Sequence, residues 1–113
     1  MTVVETPFFL RKAAEILGEE ERASLIEKIG MDPEGGEIIP GTGGVRKLRW
    51  ALPGRGKSGG ARVIYYFHNG SMPVFMLSIY AKNQKVNLTP AERNMLKSLT
   101  PELVQSYQKG KTL

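Results

Sequence analysis

Between Val45 and Ala81 the chain carries three runs of strand-forming residues, Val45 to Leu52, Ala61 to His68 and Val74 to Ala81, separated by segments rich in glycine, proline and asparagine. Runs this close in sequence pair with their chain neighbours, so the middle of the chain is committed to a small antiparallel meander. In the first run Leu48, Trp50 and Leu52 alternate with Lys47 and Arg49, the period of two that a half-buried strand requires. Asn69-Gly70 between the second and third runs favours a turn with left-handed backbone geometry. The second run is apolar on both sides, Val63, Tyr65 and Phe67 against Ile64 and Tyr66, which leaves open which face is core.

Helix signals flank this centre. Val3 and Val4 suit a short edge strand, and Thr6-Pro7 reads as an N-cap followed by proline in the first helical position. Phe9, Ala13, Ile16 and Leu17 then recur at helical spacing up to Gly18, a natural breaker. Glu19, Glu20 and Glu21 belong at the start of a second helix, where carboxylates favour the unpaired amides, with Ile26 and Ile29 on its apolar side and Gly30 at its end. Residues 31–44, rich in glycine and proline, form a loop. After the sheet, Thr89, Pro90 and Glu92 combine an N-cap, a proline at N1 and a capping-box acid, opening a helix lined by Leu96 and Leu99. Thr100-Pro101-Glu102 repeats the pattern and predicts a separate last helix carrying Leu103, Val104 and Tyr107.

A chain of 113 residues builds one core but hardly two, so residues 1–113 are read as a single domain. The expected fold is α+β: a small antiparallel sheet of three to four strands, mixed if the N-terminal strand joins at the edge, packed against N-terminal and C-terminal helices. One sheet face is expected to take the helices and the other to carry the basic residues.

Charge is segregated along the chain. Residues 1–37 hold nine acidic and four basic side chains, whereas residues 38–91 hold eight basic ones (Arg46, Lys47, Arg49, Arg55, Lys57, Arg62, Lys82, Lys85) and no Asp or Glu. A surface that is merely soluble mixes both signs; this one points to a polyanionic partner. With no cysteine and one histidine, His68, neither a thiolate nor a multi-histidine metal site is available, and no metal or cofactor is expected. Arg11 and Lys12 interrupt the short apolar opening after Phe8, Phe9 and Leu10, and no run approaches the roughly 20 apolar residues of a membrane span. A cytoplasmic protein without a cleaved leader or a membrane partner is the expectation.

Gly56-Lys57-Ser58 has the look of a nucleotide-binding loop, but position 51, where the first glycine of that pattern belongs, is alanine, and neither a parallel core strand before it nor a helix after it is indicated. Arg55 and Lys57 at a hairpin tip suit contacts to a nucleic-acid backbone better, together with Arg46, Lys47 and Arg49 on the first strand. Tyr80 and Lys82 share a face at the end of the third run, an aromatic able to stack on a base beside a cation able to hold a phosphate. His68, with Tyr66 two residues before it, is a secondary candidate for proton transfer, though its place at a turn sets it apart from the basic cluster.

Arg62-Val63-Ile64-Tyr65-Tyr66, then Ser78-Ile79-Tyr80-Ala81-Lys82-Asn83-Gln84-Lys85, then Leu88-Thr89-Pro90-Ala91-Glu92 resemble the RelE/ParE superfamily of toxins, most closely its HigB-like branch. The resemblance covers residues 44–99 well and the N-terminal helices by general plan. It implies a RelE-like sheet packed on helices, restraint by a cognate antitoxin, and metal-independent endoribonuclease action on messenger RNA in the ribosomal A site. It implies that Arg62 stabilises the phosphate under attack, that Lys82 and Lys85 supply charge or proton transfer, and that Tyr80 orients a base or supports Lys82. Chemistry that uses the RNA's own 2′-hydroxyl needs alignment and electrostatic stabilisation more than a protein nucleophile. The other reading of such a fold is a non-enzymatic toxin or binding module, directed at a topoisomerase or binding only its antitoxin.

Overall fold

A computed structural model describes residues 1–52, 60–85 and 87–111. In chain order the elements are β1 (Val3–Glu5), α1 (Pro7–Ile16), α2 (Glu19–Met31), β2 (Glu37–Ile38), β3 (Val45–Trp50), β4 (Ala61–Tyr66), β5 (Val74–Ala81) and α3 (Pro90–Lys111). The strands form one five-stranded sheet in the order β1-β5-β4-β3-β2. β3, β4 and β5 are the antiparallel meander, and β1 adds to β5 in parallel, so the sheet is mixed at its edge. The fifth strand is the two-residue β2, which lies within the stretch read as loop and pairs Glu37 with Lys47 and Ile38 with Arg46.

Thr6 performs the capping its position predicts and one task more. Its Oγ1 accepts the Phe9 N–H at 3.3 Å, starting α1, and donates to the Met76 carbonyl of β5 at 2.7 Å. One hydroxyl thus ties the helix start to the sheet. Phe9 and Ala13 of α1 and Leu25 and Ile29 of α2 then bury against Val63, Tyr65, Val74, Met76 and Ile79.

The opposite face does not stay free, contrary to the expectation. Leu96, Leu99, Leu103 and Val104 of α3 pack there on Val45, Ile64, Tyr66 and Leu77. Apolar residues on both sides of β4 explain this: a strand buried along its whole length needs cover on both faces.

Two helices were expected at the C-terminal end, and there is one. Pro101 lies inside α3. Proline there cannot donate to the carbonyl four residues back, that of Lys97. The Thr100 hydroxyl donates to this carbonyl at 3.4 Å and is also 3.5 Å from the Thr42 carbonyl, which anchors α3 to the loop before β3. Gly43 follows in left-handed backbone at φ 78°, and a Cβ there would stand 2.5 Å from Thr100 Oγ1. Asn69 and Gly70, by contrast, do not adopt the left-handed geometry expected of them; Asn69 Oδ1 accepts the Ser71 N–H at 2.9 Å and closes the turn through its side chain instead.

The loop leading to β2 is held by a phenol. Tyr65, fully buried, donates to the Pro33 carbonyl at 2.9 Å and accepts the Gly36 N–H at 2.8 Å. Tyr65→Phe leaves that buried N–H without a partner and is expected to cost about 1–3 kcal/mol, read as a lowered denaturation midpoint. Burial raises the Tyr65 phenol above its ordinary 10.0, with Gly36 and Arg46 opposing. The folded state therefore prefers the protonated phenol. Its contribution is complete below pH 10 and is lost as the pH climbs through the raised value, so the variant should lose less stability above pH 10 than the wild type.

Candidate active site

Strand register sets three chemically distinctive residues in one row. Arg49 of β3 stands opposite Arg62 of β4, which stands opposite Tyr80 of β5, and the adjacent row is Lys47, Ile64 and Ser78. Cross-strand partners lie about 4.5–5.5 Å apart at Cβ, so the guanidinium and the phenol share one site. A bulge puts Tyr80 there. The pairing shifts between Ile64 and Tyr65, leaving Leu77 as an extra residue on β5. Met76 and Ile79 consequently pack with α1 and α2, while Leu77 and Tyr80 pack with α3. Uninterrupted alternation from Met76 would send Tyr80 to the other face.

Arg62 is only 7% exposed, and its Nη1 lies 3.5 Å from the Ala61 carbonyl. Among the described residues it forms no ion pair. A nearly buried guanidinium without a carboxylate is costly unless an anion completes it.

Beyond β5 the chain turns. The Lys82 N–H donates to the Gly60 carbonyl at 2.9 Å and the Gln84 N–H to that of Ala81 at 3.0 Å. This geometry brings Lys85 back over the strand end, with Nζ 4.9 Å from the centroid of the Tyr80 ring and 2.5 Å from Glu92 Oε2. Glu92 belongs to the capping box that starts α3: Oε1 accepts the Thr89 N–H at 2.8 Å, and Thr89 Oγ1 accepts the Glu92 N–H at 3.1 Å. Burial raises the Tyr80 phenol above 10.0, Arg62 opposing and Glu92 adding, so near neutral pH it is a hydrogen-bond donor and not a base. The Lys85 hydrogen bond and then the Thr89 amide hold the Glu92 carboxyl below its ordinary range. A groove of about 560 Å³ opens beside this cluster, floored by Ile64, Leu77 and Leu96 and rimmed by Phe8 and Lys12 of α1.

The structure thus brings Arg62, Tyr80 and Lys85 together, with Lys82 in the adjoining turn and Lys47 and Arg49 on the flanking strand. It does not make them one evenly exposed surface, since Arg62 is buried. Arg46 turns to the opposite face, where its Nη1 donates to the carbonyls of Glu34 at 3.1 Å and Gly36 at 2.8 Å. Tyr66 is buried at the far end of β4, its hydroxyl 3.2 Å from His68 Nδ1. Six residues of extended chain put His68 on the order of 20 Å from Arg62. Arg55 and Lys57 lie outside the described residues. The part of the cluster that the sequence reading missed is the second oxygen of Glu92, which the capping-box motif signals only as a helix start.

A sequence model of the family described as RelE toxin of RelE / RelB toxin-antitoxin system matches residues 11–111. The chain belongs to the RelE toxin family. A solved structure of the E. coli toxin RelE, a double arginine-to-alanine variant in the free state, superposes with a TM-score of 0.50 at 19% sequence identity, covering 69% of this chain and 79% of that one. At that identity the likeness is one of RelE fold. Arg62, Tyr80, Lys82 and Lys85 all fall within the segment that the RelE family model matches. No helix among the described residues is long and apolar enough to cross a membrane.

Proposed function

We propose that this toxin is a ribosome-dependent, metal-independent endoribonuclease that cleaves messenger RNA in the A site and is neutralised by a cognate antitoxin. The observation that carries the reading is Arg62, a nearly buried cation with no carboxylate partner among the described residues, set between Arg49 and Tyr80 on one row. An RNA phosphate supplies the missing anion, and the flanking Lys47 and Arg49 hold the adjacent backbone. In the reaction the RNA 2′-hydroxyl gives up its proton as its oxygen bonds to the neighbouring phosphorus, the bond from phosphorus to the 5′-oxygen breaks, and the departing oxygen takes a proton, leaving a 2′,3′-cyclic phosphate and a 5′-hydroxyl. Arg62 stabilises the charge that builds on the non-bridging oxygens. Lys82 and Lys85 supply positive charge or proton transfer near the attacking 2′-hydroxyl and the leaving oxygen, and the protonated Tyr80 orients a base or supports Lys82. The run from Tyr80 to Lys85 together with the Thr89–Glu92 helix start supports placement in the HigB-like branch.

The deciding assay presents programmed ribosomes carrying a defined message, with naked RNA alongside, and maps cut positions by primer extension. Cuts confined to A-site codons are expected. An intact message with folded protein would favour a toxin that binds without cutting. Alanine at Lys47 or Arg49 is expected to weaken ribosome association without changing the unfolding midpoint. The slope of log affinity against log salt should fall by about one for each phosphate that the variant no longer neutralises. A salt titration superimposable on that of the wild type would remove these two side chains from the footprint.

A further inference from the structure

Lys85 sits on a turn, at the end of a long flexible side chain, yet it has a defined place because two partners hold it: the Tyr80 ring beneath and the Glu92 carboxylate beside it. The two oxygens of Glu92 have separate tasks. Oε1 closes the α3 cap on the Thr89 N–H, and Oε2 takes the Lys85 ammonium. A helix cap alone needs only the first, and a glutamine fills that position equally well. We infer that Glu92 is a positioning residue for RNA cleavage, a carboxylate built into the start of α3 that holds the Lys85 ammonium over Tyr80 and so in reach of the phosphate bound at Arg62.

This role rests on the endoribonuclease reading and adds a residue that acts through Lys85. The anchor for Lys85 comes from the first turn of a helix whose own place is set by Leu96, Leu99 and Leu103 packing on the sheet, while Arg62 and Tyr80 are set by strand register. Sheet and helix are thereby keyed to each other at the point where three groups must converge on one phosphate. The depressed carboxyl of Glu92 keeps the clamp ionised through the neutral range. Displacing a reactive group by about an ångström can cost as much as 100-fold in rate, so loss of the clamp should appear in turnover more than in binding.

The test uses the full chain on programmed ribosomes, with Glu92→Gln, Lys85→Ala, the double variant and Thr89→Ala. Glu92→Gln retains the amide-accepting oxygen of the cap and removes the negative charge that holds Lys85. It is expected to lower the single-turnover rate at saturating toxin by about 10- to 100-fold while the half-saturating concentration stays within about twofold. In a Lys85→Ala background the same change should have no further effect, because the clamp then has nothing to hold. Thr89→Ala weakens the helix start and should lower the melting temperature with the cleavage rate unchanged. A Glu92→Gln protein that cuts as fast as the wild type or faster, additive losses with Lys85→Ala, or a Thr89→Ala loss equal to that of Glu92→Gln would each overturn the positioning role while leaving the nuclease in place. A wild-type chain that cuts nothing overturns the function and the inference together.

Discussion

Arg62→Ala is expected to abolish most message cleavage while leaving the toxin folded and bound to the ribosome. Arg62 is 7% exposed at the start of β4 and lies in the row with Arg49 and Tyr80, where charge on a bound phosphate would develop. An interaction that strengthens as the phosphorane forms lowers the barrier without tightening ground-state binding. Loss of one such donor costs roughly 100- to 1000-fold in turnover, about 3–4 kcal/mol. The folded state should not suffer, because the substitution removes a buried charge that no described carboxylate compensates. The readouts are primer-extension rates on programmed ribosomes, co-sedimentation with ribosomes and circular dichroism. Rates within threefold of the wild type would place the reacting phosphate elsewhere, and a chain that no longer sediments with the ribosome would make Arg62 a binding contact and not a transition-state one.

Phe9→Ala is expected to have the largest effect on stability. Phe9 is fully buried, and it joins α1 to the sheet in the cluster with Val63, Tyr65 and Met76. Its own N–H is also the one that the Thr6 hydroxyl caps. Truncating a buried phenylalanine removes its transfer free energy and leaves a cavity, together about 3–5 kcal/mol. A domain of this size has about 5–15 kcal/mol in all, so the variant is marginal. In urea the midpoint should fall by on the order of 2 M with an unchanged slope. A shift below about 0.5 M would mean that α1 contributes far less to the core than its packing indicates.

The elements that local physical chemistry decides were legible in the residues. Thr6-Pro7 and Thr89-Pro90 begin helices because a threonine oxygen caps free amides and a proline has no amide to lose. Alternation placed Lys47 and Arg49 opposite Leu48 and Trp50, since successive side chains of an uninterrupted strand point to opposite faces. The basic centre of the chain, and its likeness to the RelE family, were equally visible.

What the tertiary structure decided depends on partners distant in sequence. Pro101 reads as a helix start, but Thr100 satisfies the Lys97 carbonyl and docks on Thr42, 58 residues earlier, so α3 continues through it. Arg46 reads as one more cation of the basic strand until the carbonyls of residues 34 and 36 come within its reach. The candidate site turns on Leu77. A bulge there, set by the pairing of β5 with β4, brings Tyr80 beside Arg62, and a one-residue slip in that pairing would put the two on opposite faces. Caps and alternation arise between residues a few positions apart and are written in the order of the side chains; register is an agreement between two strands, and only the packed sheet expresses it.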